Sequence, residues 1–198
     1  MAQELRRRSR RRSDSLWPIS VTPDGLTAAV VSLAANTQQQ LALVHLAGNG
    51  RMESLLTGNS RIINGEVSPD GQWLAYQSNA MAREDIYLRP FPNVNVAMTR
   101  IAAGTQPAWC RTGRELFYLD ADGYLTQVTV ESGRPGTPHR VLDRRYSGSN
   151  LGRTYDISRD CQRFVMLKDE ASIPTDTPLR MTLLVDWIED LKRVLPPQ

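Results

Sequence analysis

Four short apolar runs recur along the chain: LTAAVVS from Leu26, QWLAYQS from Gln72, RELFYLD from Arg114 and QRFVMLK from Gln162. None alternates strictly between apolar and polar positions. Trp73, Leu74, Ala75 and Tyr76 are consecutive, as expected of a strand covered on both faces rather than one with a wet side. Each run follows a tight tetrad: Thr22-Pro23-Asp24-Gly25, Ser68-Pro69-Asp70-Gly71, Cys110-Arg111-Thr112-Gly113 and Ser158-Arg159-Asp160-Cys161. The last residues of these tetrads lie 46, 42 and 48 positions apart. That spacing suits a repeated supersecondary unit of about four strands.

The second tetrad is chemically complete. Ser68 suits the first position of a type I turn, Pro69 presets φ at the second, Asp70 tolerates the third, and Gly71 accepts φ > 0 at the fourth. A type I turn followed by a left-handed residue closes a three-residue hairpin loop, so antiparallel strands should flank it. The sequence predicts strands near 17–21, 26–33, 40–47 and 51–56, then 62–68, 72–79, 84–91 and 97–103. A third set follows near 106–110, 114–119, 123–130 and 138–142, and a fourth near 153–158, 161–168 and 180–187. After these, Trp187, Ile188, Leu191, Val194 and Leu195 fall at helical spacing and predict a short C-terminal helix.

These residues resemble the TolB-like, WD-repeat-like β-propeller repeats, whose mark is a Ser-Pro-Asp-Gly turn before an apolar strand. VSPDGQWLAYQSN, DIYLRPFP, QPAWCRTGRELFYLDADG and YDISRDCQRFVML are similar to the C-terminal propeller attached to bacterial serine/threonine protein kinases and to some transcriptional regulators. The resemblance covers about residues 15–195 and implies an all-β fold: a partial or small propeller of about four antiparallel blades, ending in the short helix. Repeat units are expected near 15–58, 59–104, 105–145 and 146–195. Ring closure with so few blades is rare, which makes self-association into a homodimer an expectation.

The tetrads depart from that pattern unevenly. Thr22 stands for serine in the first, beside Pro23, Asp24 and Gly25. The third keeps only Gly113. The fourth keeps Ser158 and Asp160 but places Cys161 where glycine is expected. A left-handed Cys161 would be strained by roughly 1–2 kcal/mol, so Cys161→Gly is expected to stabilise the fold.

Composition adds little to this picture. The chain has 198 residues, 40% hydrophobic and 23% charged, with a formal net charge of +3. Six arginines between Arg6 and Arg12 account for the positive excess, and the first 14 residues hold almost nothing to bury, so a disordered tail is predicted. This run lacks interleaved aromatics, which disfavours nucleic acid as a partner. No stretch approaches the length of a membrane span, and Pro18 and Pro23 interrupt the segment after the basic run, so neither membrane insertion nor a signal peptide is expected. Cys110 and Cys161 are too few for a disulfide scaffold and lack zinc spacing; reduced, buried thiols and a cytoplasmic setting are the expectation.

Candidate chemistry is sparse. His45 and His139 have no Ser or Asp partner placed by sequence, no Gly-x-Ser-x-Gly elbow occurs, and neither a phosphate loop nor a kinase catalytic loop is present. Asp120 and Asp122 begin like a calcium loop, but Gly123 comes too early and a hairpin turn explains the same residues. Trp73, Tyr76, Trp109, Phe117, Tyr118 and Phe164 recur at comparable places and read as packing between blades. The sequence therefore points to a non-catalytic module without cofactor that binds a protein or peptide. A ligand-sensing propeller fragment of a kinase or transcriptional regulator, or the accessory propeller of a hydrolase, are the alternatives.

Overall fold

The computed structural model describes residues 15–33, 39–47, 50–57, 60–149 and 152–167. The predicted basic tail, the strand at 180–187 and the C-terminal helix lie outside these residues. All regular structure within them is β.

The first sheet runs β1 (Ser15–Val21), β2 (Thr27–Leu33), β3 (Gln39–His45) and β4 (Met52–Leu56), each antiparallel to the next. β5 (Ile62–Val67), β6 (Trp73–Ser78) and β7 (Asp85–Pro90) begin the second sheet in the same order. Here the chain departs from expectation. The strands predicted at 97–103 and 106–110 are one element, β8 (Thr99–Trp109). Its first half pairs with β7, from Leu88↔Thr99 to Asp85↔Ala103. Its second half pairs with β9 (Glu115–Asp120), from Gly104↔Asp120 to Trp109↔Leu116. One strand is thus the outer edge of the second blade and the innermost strand of the third.

Two residues allow that crossing. A Cβ on Gly104 would lie 2.6 Å from the Leu119 carbonyl oxygen, so only glycine fits where the strand passes from blade to blade. Gln106 has φ = 59° and sits in a bulge, which bends the strand. The third blade continues with β10 (Tyr124–Glu131), the two-residue β11 (Arg134–Pro135) and β12 (His139–Arg145). β10 pairs with β11 at one end and with β12 at the other. The fourth blade contributes β13 (Tyr155–Ile157) and β14 (Phe164–Met166).

The core is layered between blades. Val31, Leu41 and Leu56 of the first blade meet Ile63, Leu74, Tyr76 and Tyr87 of the second. Ala75, Ile86 and Leu88 face the other way, onto Trp109, Leu116, Tyr118 and Val128. Phe117, Leu119 and Leu125 then pack with Tyr155, Phe164 and Met166. Leu74, Ala75 and Tyr76 are consecutive and buried because alternate side chains enter different layers. The same holds for Leu116 through Leu119 of β9.

Candidate functional site

All four tetrads form the same turn. The N–H of the fourth residue donates to the C=O of the first: Gly25 to Thr22 (2.9 Å), Gly71 to Ser68 (2.8 Å), Gly113 to Cys110 (2.9 Å) and Cys161 to Ser158 (2.9 Å). The fourth residues are left-handed throughout, with φ of 70°, 71°, 73° and 59°. The hydroxyls of Thr22, Ser68 and Ser158 donate to the carboxylates of Asp24, Asp70 and Asp160. Each carboxylate also accepts the N–H two residues on, at 2.9 Å from Leu26, 3.0 Å from Gln72 and 3.2 Å from Gln162. In the third turn Thr112 takes the aspartate's place, accepting the Arg114 N–H at 3.4 Å and donating to Cys110 Sγ. The hydroxyl donors, and after them the backbone donors, hold Asp24 and Asp160 below the ordinary carboxylate pKa.

Neighbouring turns touch along one rim. A Cβ on Gly71 would lie 3.8 Å from the Pro23 ring, and one on Gly113 would lie 3.9 Å from the Pro69 ring. Between the third and fourth turns the contact is covalent. Cys110 and Cys161 are joined in a disulfide with their Cα atoms 5.8 Å apart. This overturns the expectation of two reduced thiols. The first position of one turn faces the fourth position of the next, a proximity that only stacking of the blades creates.

Inside this rim the innermost strands enclose two adjoining cavities. The outer one, of about 610 Å³, is bordered by the second residue of every turn, Pro23, Pro69, Arg111 and Arg159. The inner one, of about 170 Å³, lies farther along the strands against Trp17, Ile19, Ile63, Pro107 and Gly152. Glu66 and Arg153 line both. Arg153 Nη1 donates to Glu66 Oε2 at 2.7 Å, and the Trp109 N–H donates to the same oxygen at 3.1 Å. Burial nevertheless raises the Glu66 pKa, outweighing Arg153 and the Trp109 N–H. Asp156 Oδ1 lies 3.9 Å from Arg153 Nη2.

Behind the inner cavity a carboxamide network ties three blades together. Asn64 donates to Gln77 Oε1 at 2.8 Å, and the backbone N–H of Gln106 donates to the same oxygen at 3.0 Å. Gln106 Nε2 donates to the Ser149 carbonyl (3.0 Å), and its Oε1 accepts the Thr154 N–H (2.7 Å). The Tyr155 hydroxyl donates to the Gln106 carbonyl at 2.7 Å, and burial raises that phenol well above its ordinary pKa. Sequence reasoning missed Glu66, Gln77, Gln106 and Arg153. For Glu66, Gln77 and Gln106 the one signal was polarity inside a strand; Arg153, in the segment before β13, carried none.

The remaining sequence candidates lie elsewhere. Asp120 Oδ1 accepts the N–H groups of Asp122 and Tyr124, both at 2.9 Å, around a hairpin turn with Gly123 at φ = 86°. Arg140 pairs with Asp120 at 3.1 Å and with Asp122 at 2.7 Å. Among the described residues no group of three or more His, Cys, Asp or Glu is placed to hold a metal. His45 pairs with Glu53 at 3.3 Å on the first blade, and His139 is exposed at the start of β12. Neither lines the cavities. No helix among the described residues is long and apolar enough to cross a membrane.

No protein-family model matches the sequence. No curated protein matches it either. Solved structures do. The chain is similar to TolB from Acinetobacter baumannii, with a TM-score of 0.62, 15% identity, and coverage of 80% of this chain and 39% of that one. It is also similar to a protein described as a TolB from Agrobacterium tumefaciens, with a TM-score of 0.53 and 16% identity over 68% of this chain and 50% of that one. The chain thus spans half or less of the length of these structures. At such identities the likeness establishes the fold, a TolB-like β-propeller.

Proposed function

We propose that this chain is a non-catalytic propeller module that binds a segment of another protein or a peptide at the turn-rimmed mouth of its central cavity. The observation that carries the reading is the rim itself. Four turns with the same hydrogen bonds, coupled to one another by proline packing and a disulfide, frame an opening of about 610 Å³ that leads inward. Such preorganised concave sites recognise ligands without first ordering their own walls. The hydroxyls on the opening support a binding role over a hydrolytic one. Ser158 bonds Asp160 and the Arg163 N–H, Ser20 accepts the Val67 N–H, and neither histidine of the chain is at hand to activate them.

Selection of a displayed random-peptide library on the oxidised protein tests this. Val21 lines the opening and is 56% exposed, so Val21→Ala should weaken the selected peptides severalfold while leaving the melt nearly unchanged. Peptides bound equally well by Val21→Ala and by a variant that obstructs the opening, such as Val21→Trp, would place recognition elsewhere.

A further inference from the structure

The rim of the opening is not chemically uniform. In the first two turns the second residue is proline, and each ring packs against the glycine of the next turn, Pro23 on Gly71 and Pro69 on Gly113. In the third and fourth turns it is arginine, Arg111 and Arg159. The disulfide couples those two turns, so position 111 has no packing duty to perform. Both arginines are exposed, and no carboxylate among the described residues lies within ion-pair distance of either. Deeper in the opening, Arg153 is held by Glu66. One arc of the mouth is therefore apolar, with Pro23, Pro69, Val21 and Val67, and the opposite arc is cationic.

Three guanidinium groups line the opening against two carboxylates. Glu66 is already satisfied by Arg153 and by the Trp109 N–H, which leaves Asp156 as the one acid among the described residues of the opening that faces two uncommitted arginines. Guanidinium groups present paired N–H donors that match carboxylate geometry. We infer that the mouth selects an acidic peptide segment, whose carboxylates engage Arg111 and Arg159 while an apolar side chain of the same segment rests on the Pro23 and Pro69 arc. This rests on the reading of the mouth as a peptide site and adds the charge of the partner.

The test uses the oxidised full chain and a fluorescein-labelled glutamate-rich peptide, with a lysine-rich peptide of equal length as its counterpart. The glutamate-rich probe should bind and the lysine-rich one should not, and added salt should weaken binding. Arg111→Ala/Arg159→Ala should lose about tenfold in affinity, the order expected for two partly exposed charge pairs. Arg111→Lys/Arg159→Lys should recover only part of it, because an ammonium keeps the charge but lacks the paired donors, and thermal melts of both double variants should match the wild type, since both side chains are exposed. Wild-type affinity in the double alanine variant, or equal binding of both probes, would overturn the inference. Library selection separates the two levels: neutral or basic sequences that still require the mouth would remove the acidic preference and keep the peptide site. Failure to enrich any mouth-dependent sequence would remove both.

Discussion

Cys161 serves two demands that pull in opposite directions. At φ = 59° it occupies a conformation in which glycine would be relaxed, and it also supplies half of the covalent link to Cys110. Relief of the strain is worth about 1–2 kcal/mol. Against this, closing a loop between residues 51 apart stabilises by about 4 kcal/mol in the chain-entropy picture. Cys161→Gly should therefore melt lower than wild type when oxidised and higher than wild type when both are measured with reductant. An equal or higher melt of the variant without reductant would show that the link contributes little. The turn aspartates add a pH dependence. Asp24 and Asp160 have pKa values below the ordinary 3.8, so their contribution is present above that value and is lost as pH falls through their lower folded values. In acid titrations, Asp24→Asn/Asp160→Asn should flatten the loss of stability below about pH 4. At this scale the tetrads were legible because backbone conformation dictates their residues, Gly25, Gly71 and Gly113 above all. The cysteine pairing was not, because it depends on which turn positions face each other across blades.

Strands were legible where two faces are dry and illegible where the chain changes blade. The apolar runs of β6 and β9 fell close to their observed limits, since each carries side chains into two core layers. β8 was read as two strands because GTQP resembles a break in TRIAAGTQPAW, yet a bulge at Gln106 and the missing side chain at Gly104 carry the strand through. Gly104→Ala would press a methyl group against the backbone oxygen of Leu119, which cannot rotate away. A loss of about 1–3 kcal/mol in denaturant unfolding is expected. Gln106 is wholly buried, and its carboxamide bonds Ser149 and Thr154. Gln106→Ala removes the side-chain acceptor of the Thr154 N–H and the buried carboxamide network, and should also cost about 1–3 kcal/mol. A Gln106→Ala variant as stable as wild type would mean that water replaces the network.

The blades form a sequence of layers in which each contacts its neighbours, so stability should behave as a sum of local terms rather than one indivisible core. The repeat spacing disclosed this arrangement, whereas the site at the mouth stayed hidden, because its residues come from four inner segments that acquire a common surface only when the blades stack. Phe117, Tyr155 and Phe164 belong to the layer that the disulfide clamps, between the third and fourth blades. The described strands of the fourth blade are only three residues each. Short strands hold few ladder bonds, so β13 and β14 depend on the clamp and on the phenylalanine layer. Reduction should raise hydrogen exchange in β13 and β14 while the amides of β6 and β7, enclosed by two intact layers, keep their protection. Phe117→Ala, at about 3–5 kcal/mol, should produce the same local pattern in the oxidised protein. If reduction instead raised exchange uniformly through all the sheets, the blades would be unfolding together, and the rim would owe its rigidity to the whole stack of blades rather than to contacts between adjacent turns.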